Sequence, residues 1–195
     1  MTNTLSIPID AKSVRTDEDI KGAVKLWCSD PVAAEKKYGH ISRWDTSLVT
    51  NMNDLFRECV KFNEDISGWN VSNVTSMRNM FFGAKSFNKP IGRWDVSKVK
   101  NMNNMFSCAE DFNQPIGSWD VSKVANMGYM FLRATAFNQR LDKWNVSKVT
   151  TMNAMFCYTT AFNQPIGEWV VSKKTNMVSM FKGCPIICEN KLIPI

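Results

Sequence analysis

Four lysines, Lys98, Lys123, Lys148 and Lys173, recur at intervals of 25 residues, and Lys174 extends the last of them. A row of ammonium groups attracts anions, so this column is the candidate partner-binding edge, suited to an acidic protein surface or to a polyanion. Stacked like charges also repel. At a spacing of about 5 to 10 Å, near one Debye length, salt tolerates them at little cost, so a plain solvated edge is the competing reading. Asp95 and Asp120 stand three residues ahead of Lys98 and Lys123 and can neutralise them, whereas Asn145 and Val170 leave Lys148, Lys173 and Lys174 uncompensated. The edge is expected to be most positive toward its C-terminal end and to dock there on an acidic surface.

Other chemistry finds little support. The one histidine, His40, has no Ser and Asp partners that assemble around it, and acid–base work needs an orienting partner at hydrogen-bond distance. Asp45, Asp95 and Asp120 share a column with Asn70 and Asn145, and an amide cannot replace a catalytic acid, so the column reads as local capping. No C-x-x-C pair or finger-spaced His offers a metal site, and Gly recurs singly at turns instead of in a phosphate-binding loop. No catalytic, cofactor-binding or metal residue is assigned, and the chain is read as non-enzymatic. Cys28, Cys59, Cys108, Cys157, Cys184 and Cys188 follow no common spacing. Cys59 and Cys184 fall where other repeats carry Ala84, Ala109 and Ala134, so the cysteines are expected to be reduced, small buried residues, with a Cys184–Cys188 pair left open. The sequons at Asn70, Asn73 and Asn145 are not expected to be glycosylated, since none follows a signal peptide.

The elements that position these residues follow from self-similarity. Trp44, Trp69, Trp94, Trp119, Trp144 and Trp169 lie 25 residues apart without insertion or deletion. The unit reads W-[DN]-V-S-x-V-x-N-M-x-x-M-F-x-x-A-x-x-F-N-x-x-I-G-x, and residues 94–118 are its fullest copy. Val99, Met102, Met105, Phe106 and Ala109 have the spacing of one helical face, which predicts a short helix with Ser97 as its N-cap. The lysine column would then sit beside helix N-termini, which add to its attraction for anions. Trp94 and Val96 alternate with Asp95, which predicts a very short strand. The Trp, Met and Phe columns read as core, and Asn63, Asn88, Asn113, Asn138 and Asn163 as an internal amide ladder bonding backbone groups of adjacent coils.

A unit of this size cannot bury its own apolar face, so neighbours must stack. The fold class is thus an α/β repeat solenoid, a right-handed curved rod with one short helix and one very short strand per repeat, bowed because helices need more room than strands. Residues 1–15 form an N-terminal tail, 16–43 a helical cap, 44–181 the repeats, and 182–195 a C-terminal cap or tail. In the cap, residues 16–19 give a capping-box variant ahead of Ile20, Val24 and Trp27 on one face. Asp30 and Pro31 start a second helix that Gly39 ends. At the other end Lys174, Ile187 and Cys188 depart from the repeat columns, the decay expected of a C-terminal cap.

The motif W-D-V-S-K-V-x-N-M-x-x-M-F followed by A-x-x-F-N-Q-P-I-G resembles the BspA-like surface-protein repeats, a divergent branch of the leucine-rich repeats, over residues 44 to about 181. The lead-in A-V-K-L-W-C-S-D-P-V-A-A-E-K-K-Y-G-H-I-S-R-W-D-T-S is similar to that of members from unicellular algae and large DNA viruses of protists. The resemblance implies a leucine-rich-repeat-like solenoid with adhesive or protein-binding roles in exported members and no catalytic residue.

Composition agrees with a binding role. The 195 residues carry a net charge of +6, a mild basic excess that permits an anionic partner without demanding one. No signal-peptide core or apolar run of membrane-spanning length is present, so an intracellular chain or a virion component is expected. The function read from these features is a protein-interaction or structural scaffold. The alternative is a binder of nucleic acid or charged polysaccharide through the lysine column, and against it the aromatics that single-strand binding needs are committed to the core.

Overall fold

A computed structural model describes residues 13–186. Helix α1 spans Ile20–Ser29 and buries Ile20, Ala23, Val24 and Trp27 along one face, the amphipathic stripe the spacing predicts. The Asp19 carboxylate accepts from the Thr16 N–H at 2.8 Å, one half of the expected capping box. Helix α2, Pro31–Tyr38, starts at Asp30, whose side chain accepts from the Ala33 N–H, and stops at Gly39, where φ is +74°. A single 3-10 turn, Ile41–Arg43, then delivers Trp44 to the first repeat.

From Trp44 onward the chain winds in successive 25-residue coils, each lying on the last. Single-residue parallel bridges join Asn51, Ser76, Asn101, Asn126, Thr151 and Asn176 in order. Neither the helix expected over residues 99–109 nor the strand expected at 94–96 is present. The spacing does mark a buried face, since Val99, Met102, Met105, Phe106 and Ala109 are fully buried. Its cause is different. Met105, Ser107 and Ala109 each donate N–H to the carbonyl three residues back, and a run of such turns repeats its inward face every third residue, as a helix also does at i and i+3.

The N–H groups between them are committed elsewhere. Met102, Asn104, Phe106 and Cys108 donate to the carbonyls of Asn126, Gly128, Met130 and Leu132 in the next coil, at 2.7 to 2.9 Å. No i→i−4 ladder can form once these donors leave the coil. Two residues per coil reach the left-handed region to aim them, Asn104 at φ +55° and Cys108 at +58°, with Tyr129 and Arg133 next, so the rule recurs whatever the side chain. Gly83 occupies the second of these positions in its coil at φ +68°, where a glycine relieves the Cβ strain that Cys108 and Arg133 accept.

The core is a set of columns. Phe56, Phe81, Phe106, Phe131 and Phe156 stack at ring-centroid distances of 5.2 to 5.7 Å. Each meets a second Phe of its own coil at 3.9 to 4.1 Å. Offset aromatic pairs at such distances add about 0.5–1.5 kcal/mol each to the burial of their area. Each Trp indole from Trp69 to Trp169 donates Nε1–H to the Ile or Leu carbonyl 28 residues earlier, so the polar atom of a buried ring is satisfied across the junction. The Asn column forms the expected ladder: Oδ1 of Asn63, Asn88, Asn113 and Asn138 accepts the backbone N–H of the Asn in the next coil, always at 3.0 Å.

One cysteine expectation is overturned. Cys28, at the end of α1, is disulfide-bonded to Cys59 in the first coil, with Cα atoms 5.9 Å apart. Packing of the α1 face onto the first coil brings together two residues 31 apart in sequence, which spacing rules for repeats cannot anticipate. Cys108 and Cys157 carry free thiols. Cys188, and with it the open Cys184–Cys188 pairing and the cap departures at Ile187 and Cys188, lies outside the described residues.

Candidate functional site

The lysine column is built by one tight turn per coil. Val96 and Val99 are buried, and the Val99 N–H closes a turn on the Val96 carbonyl at 2.9 Å, which leaves Lys98 on the outside. The same turn places Lys123 and Lys148, and Lys98, Lys123, Lys148, Lys173 and Lys174 are all exposed. Leu48 and Asn73 occupy the column in the first two coils, and the Lys98 ammonium donates to Asn73 Oδ1 at 2.7 Å. With parallel pairing at about 4.8 Å between coils, the lysines form a close-set row.

The acidic column beside it is engaged with its own turns. Asp45, Asn70, Asp95, Asp120 and Asn145 each accept, through Oδ1, from the N–H of the Ser two residues on, at 2.9 to 3.2 Å. The bonds from Ser97 hold the Asp95 carboxyl below its ordinary range, with the Lys98 charge helping and Asp120 opposing. Asp120 is lowered likewise by Ser122, then by Lys123 and Lys148. Among the described residues no ion pair joins Asp95 to Lys98 or Asp120 to Lys123, so compensation acts through space. In the last coil Val170, 57% exposed, replaces the acid beside Lys173 and Lys174. The expected contribution of helix N-termini to this edge falls away, because the described residues of the repeats contain no helix to supply a dipole.

His40 makes only local contacts: Nδ1 lies 2.8 Å from Ser42 Oγ, and the ring meets Trp27 edge-on at 5.0 Å.

Sequence reasoning did not find the junction between cap and repeats. The Asp17 carboxylate accepts from the N–H groups of Thr50 and Asn51 at 2.9 and 3.0 Å and from Thr50 Oγ1. In the following coils the equivalent N–H donates to the preceding coil instead, as Thr75 does to the Thr50 carbonyl and Lys100 to the Thr75 carbonyl. Asp17 thus stands in for a carbonyl of a coil that does not exist. Between α1 and the first coil opens a cleft of about 910 Å³ bordered by Lys21 and Lys25 of α1, the disulfide, and Arg57, Glu58 and Glu64 of the first coil. Nothing in the local sequence of Asp17 signals this role, since its partners are set by the docking of α1.

Among the described residues no group of three His, Cys, Asp or Glu is placed to hold a metal ion, and no helix is long and apolar enough to cross a membrane. Compared with known proteins, the chain matches the family model described as Mycoplasma protein of unknown function, DUF285, over residues 30–139 and again over 90–192. The two matches overlap within the repeats, as a model shorter than the array must. No curated protein and no solved structure matches the chain.

Proposed function

We propose that this chain, which belongs to the DUF285 family, is a non-enzymatic protein-interaction or structural scaffold that docks on an acidic protein surface along its lysine edge. In this reading the coils make a leucine-rich-repeat-like, right-handed curved solenoid of the BspA-like kind, serving as a surface, matrix or virion component. The observation that carries it is the division of labour within each coil. Trp, Met and Phe columns are spent on the core, backbone donors on the neighbouring coil, and the acidic column on its own turns, while Lys98, Lys123, Lys148 and Lys173 repeat on the outside, one per coil. A repeated outward charge on a rigid backbone suits recognition by an extended surface of opposite charge.

The test is a pull-down with the tagged chain at low and high salt, beside a variant carrying K98E, K123E and K148E. A protein recovered in fixed ratio, retained at high salt and lost with the variant, supports the scaffold. Recovery of nucleic acid with log affinity falling against log salt at a slope of about −3 to −4, as about four phosphate contacts require, replaces it with the polyanion reading. A partner indifferent to the three substitutions removes the lysine edge from the account.

A further inference from the structure

The bonds between coils have a direction. The N–H of Met52 donates to the carbonyl of residue 76, the N–H of Met77 to that of 101, Met102 to 126, Met127 to 151 and Met152 to 176. Residues 76 and 77 share one peptide unit, as do each later pair, so these bonds form a single chain of peptide groups aligned head to tail. Three more chains run beside it, from Asp54, Phe56 and Glu58, through bonds of 2.7 to 2.9 Å. Two flanking chains run the other way, such as Thr75 to Thr50 and Asp111 to Lys85. A surplus of peptide dipoles therefore points along the stack, as in an α-helix but perpendicular to the course of the chain.

All four chains end at Met177, Ser179, Phe181 and Gly183, whose N–H groups have no acceptor among the described residues. Alternating left- and right-handed backbone, with Ser179 at φ +59° and Gly183 at +68°, points them outward together, the arrangement that makes backbone N–H groups an anion-binding concavity. The charge of this last coil agrees: residues 169–186 hold Lys173, Lys174 and Lys182 and no carboxylate. Its apolar surface is open as well. Val178 is 71% exposed, and Met177 and Phe181 are less buried than Met152 and Phe156, which are wholly covered. At the opposite end of the stack a carboxylate, that of Asp17, already takes up backbone N–H groups of a terminal coil.

We infer that the C-terminal face of the stack is a docking site for an extended acidic protein segment, which lies on it as a further layer. Carboxylates and main-chain carbonyls of that segment accept from the N–H groups of Met177, Ser179, Phe181 and Gly183. Lys174 and Lys182 pair with its acidic side chains, and apolar residues between them cover Phe181 and Val178. A second copy of this chain does not suit the face. Two such faces would set donors against donors, and α1, tied to the first coil by Cys28–Cys59, lies at the carbonyl end of the stack. The site goes beyond the lysine edge, since it lies on the end of the stack and uses backbone donors.

Amide hydrogen exchange on the full chain tests it. In the free protein the amides of residues 177, 179, 181 and 183 should exchange at least about 100-fold faster than their counterparts at 152, 154, 156 and 158, which are bonded to the next coil. A short synthetic peptide alternating glutamate and valine should slow the four terminal amides at least about 10-fold, and K174E with K182E should abolish that protection while leaving the inner coils unchanged. A peptide alternating lysine and valine should do nothing. Equal protection of the terminal and inner amides in the free chain overturns the inference, because its own residues then fill the face. So does protection by an oligonucleotide as strong as by the acidic peptide, or no protection by the latter at millimolar concentration. None of these outcomes depends on Lys98, Lys123 or Lys148, so they leave the lysine-edge reading to its own test.

Discussion

Replacing Asn113 by Ala deletes one oxygen that serves two donors in the next coil: the backbone N–H of Asn138 at 3.0 Å and the Gln139 amide at 2.9 Å. Gln139 retains the Asn113 carbonyl at 3.1 Å, so the amide N–H of Asn138 is the group left without an acceptor. An orphaned buried donor costs about 1–3 kcal/mol, and because Asn113 and Asn138 are half-buried the lower part of that range, about 1–2 kcal/mol, is expected. Asn113→Asp preserves an oxygen in the same place, with uncharged Asn88 and Asn138 above and below it, and should stay within about 0.5 kcal/mol of the parent. Asn63→Ala, at the exposed start of the ladder where one N–H is served, should cost less than Asn113→Ala. Equilibrium urea denaturation followed by tryptophan fluorescence reads all three, as shifts of midpoint at constant m. If Asn113→Ala costs under about 0.5 kcal/mol, or Asn113→Asp costs as much as Ala, the ladder is not a set of internal acceptors and the account of this column is wrong.

Three further outcomes follow from the packing and the cap. Phe106→Ala, with stacked rings on both sides and a third at 3.9 Å, should destabilise by about 3–5 kcal/mol, whereas Phe181→Ala, at the open end, should cost less than half as much; equal costs in urea would argue against stacking as the source. Burial pushes the Asp17 carboxyl up, but the bonds from Thr50 and Asn51, with Lys21 nearby, outweigh it and hold the group below its ordinary range. A lowered folded-state value stabilises above the unfolded value, about 3.9, and that gain is lost as pH falls through the folded value, so Asp17→Asn should flatten the acid limb of cap stability measured by exchange in α1; an unchanged limb refutes the assignment. Reduction of Cys28–Cys59, which closes a 31-residue separation, should lower stability by about 3–4 kcal/mol in the wild-type chain and by nothing measurable in Cys28→Ser, with circular dichroism melts under reductant as the check.

Much of this molecule was written openly in its sequence. The period of the Trp column, the burial of the Met and Phe columns, the amide ladder and both cap helices follow from residue type and spacing alone, because each concerns which side chains face inward. What escaped concerns the backbone. Met102, Met105 and Ala109 are inward-facing in a helix and equally so in a succession of three-residue turns, and only the destination of the Asn104 and Cys108 N–H groups separates the two. Tyr, Ala and Arg at left-handed positions, as at Tyr129, Ala154 and Arg133, give no glycine signal to mark them. The Lys column was legible as an exposed row, but its supposed helix dipoles vanished with the helices, and the polarity of the peptide rows can be seen only once the coils are in place. Asp17 and the Cys28–Cys59 bond depend on where α1 lands, which no repeat column encodes.

The donor rows also bear on how such a chain changes length over time. Each coil offers its successor the same four N–H groups at the same places and receives them on the same four carbonyls, whatever side chains lie between. A coil therefore has no means of telling which neighbour precedes it. Gain or loss of one whole copy by unequal recombination between repeats would join a donor row to an acceptor row in register, whereas a change of any other length would leave some of them facing nothing. Copy number is then the variable most free to drift in relatives of this protein, and the cap, needed once per array, the part most bound to stay.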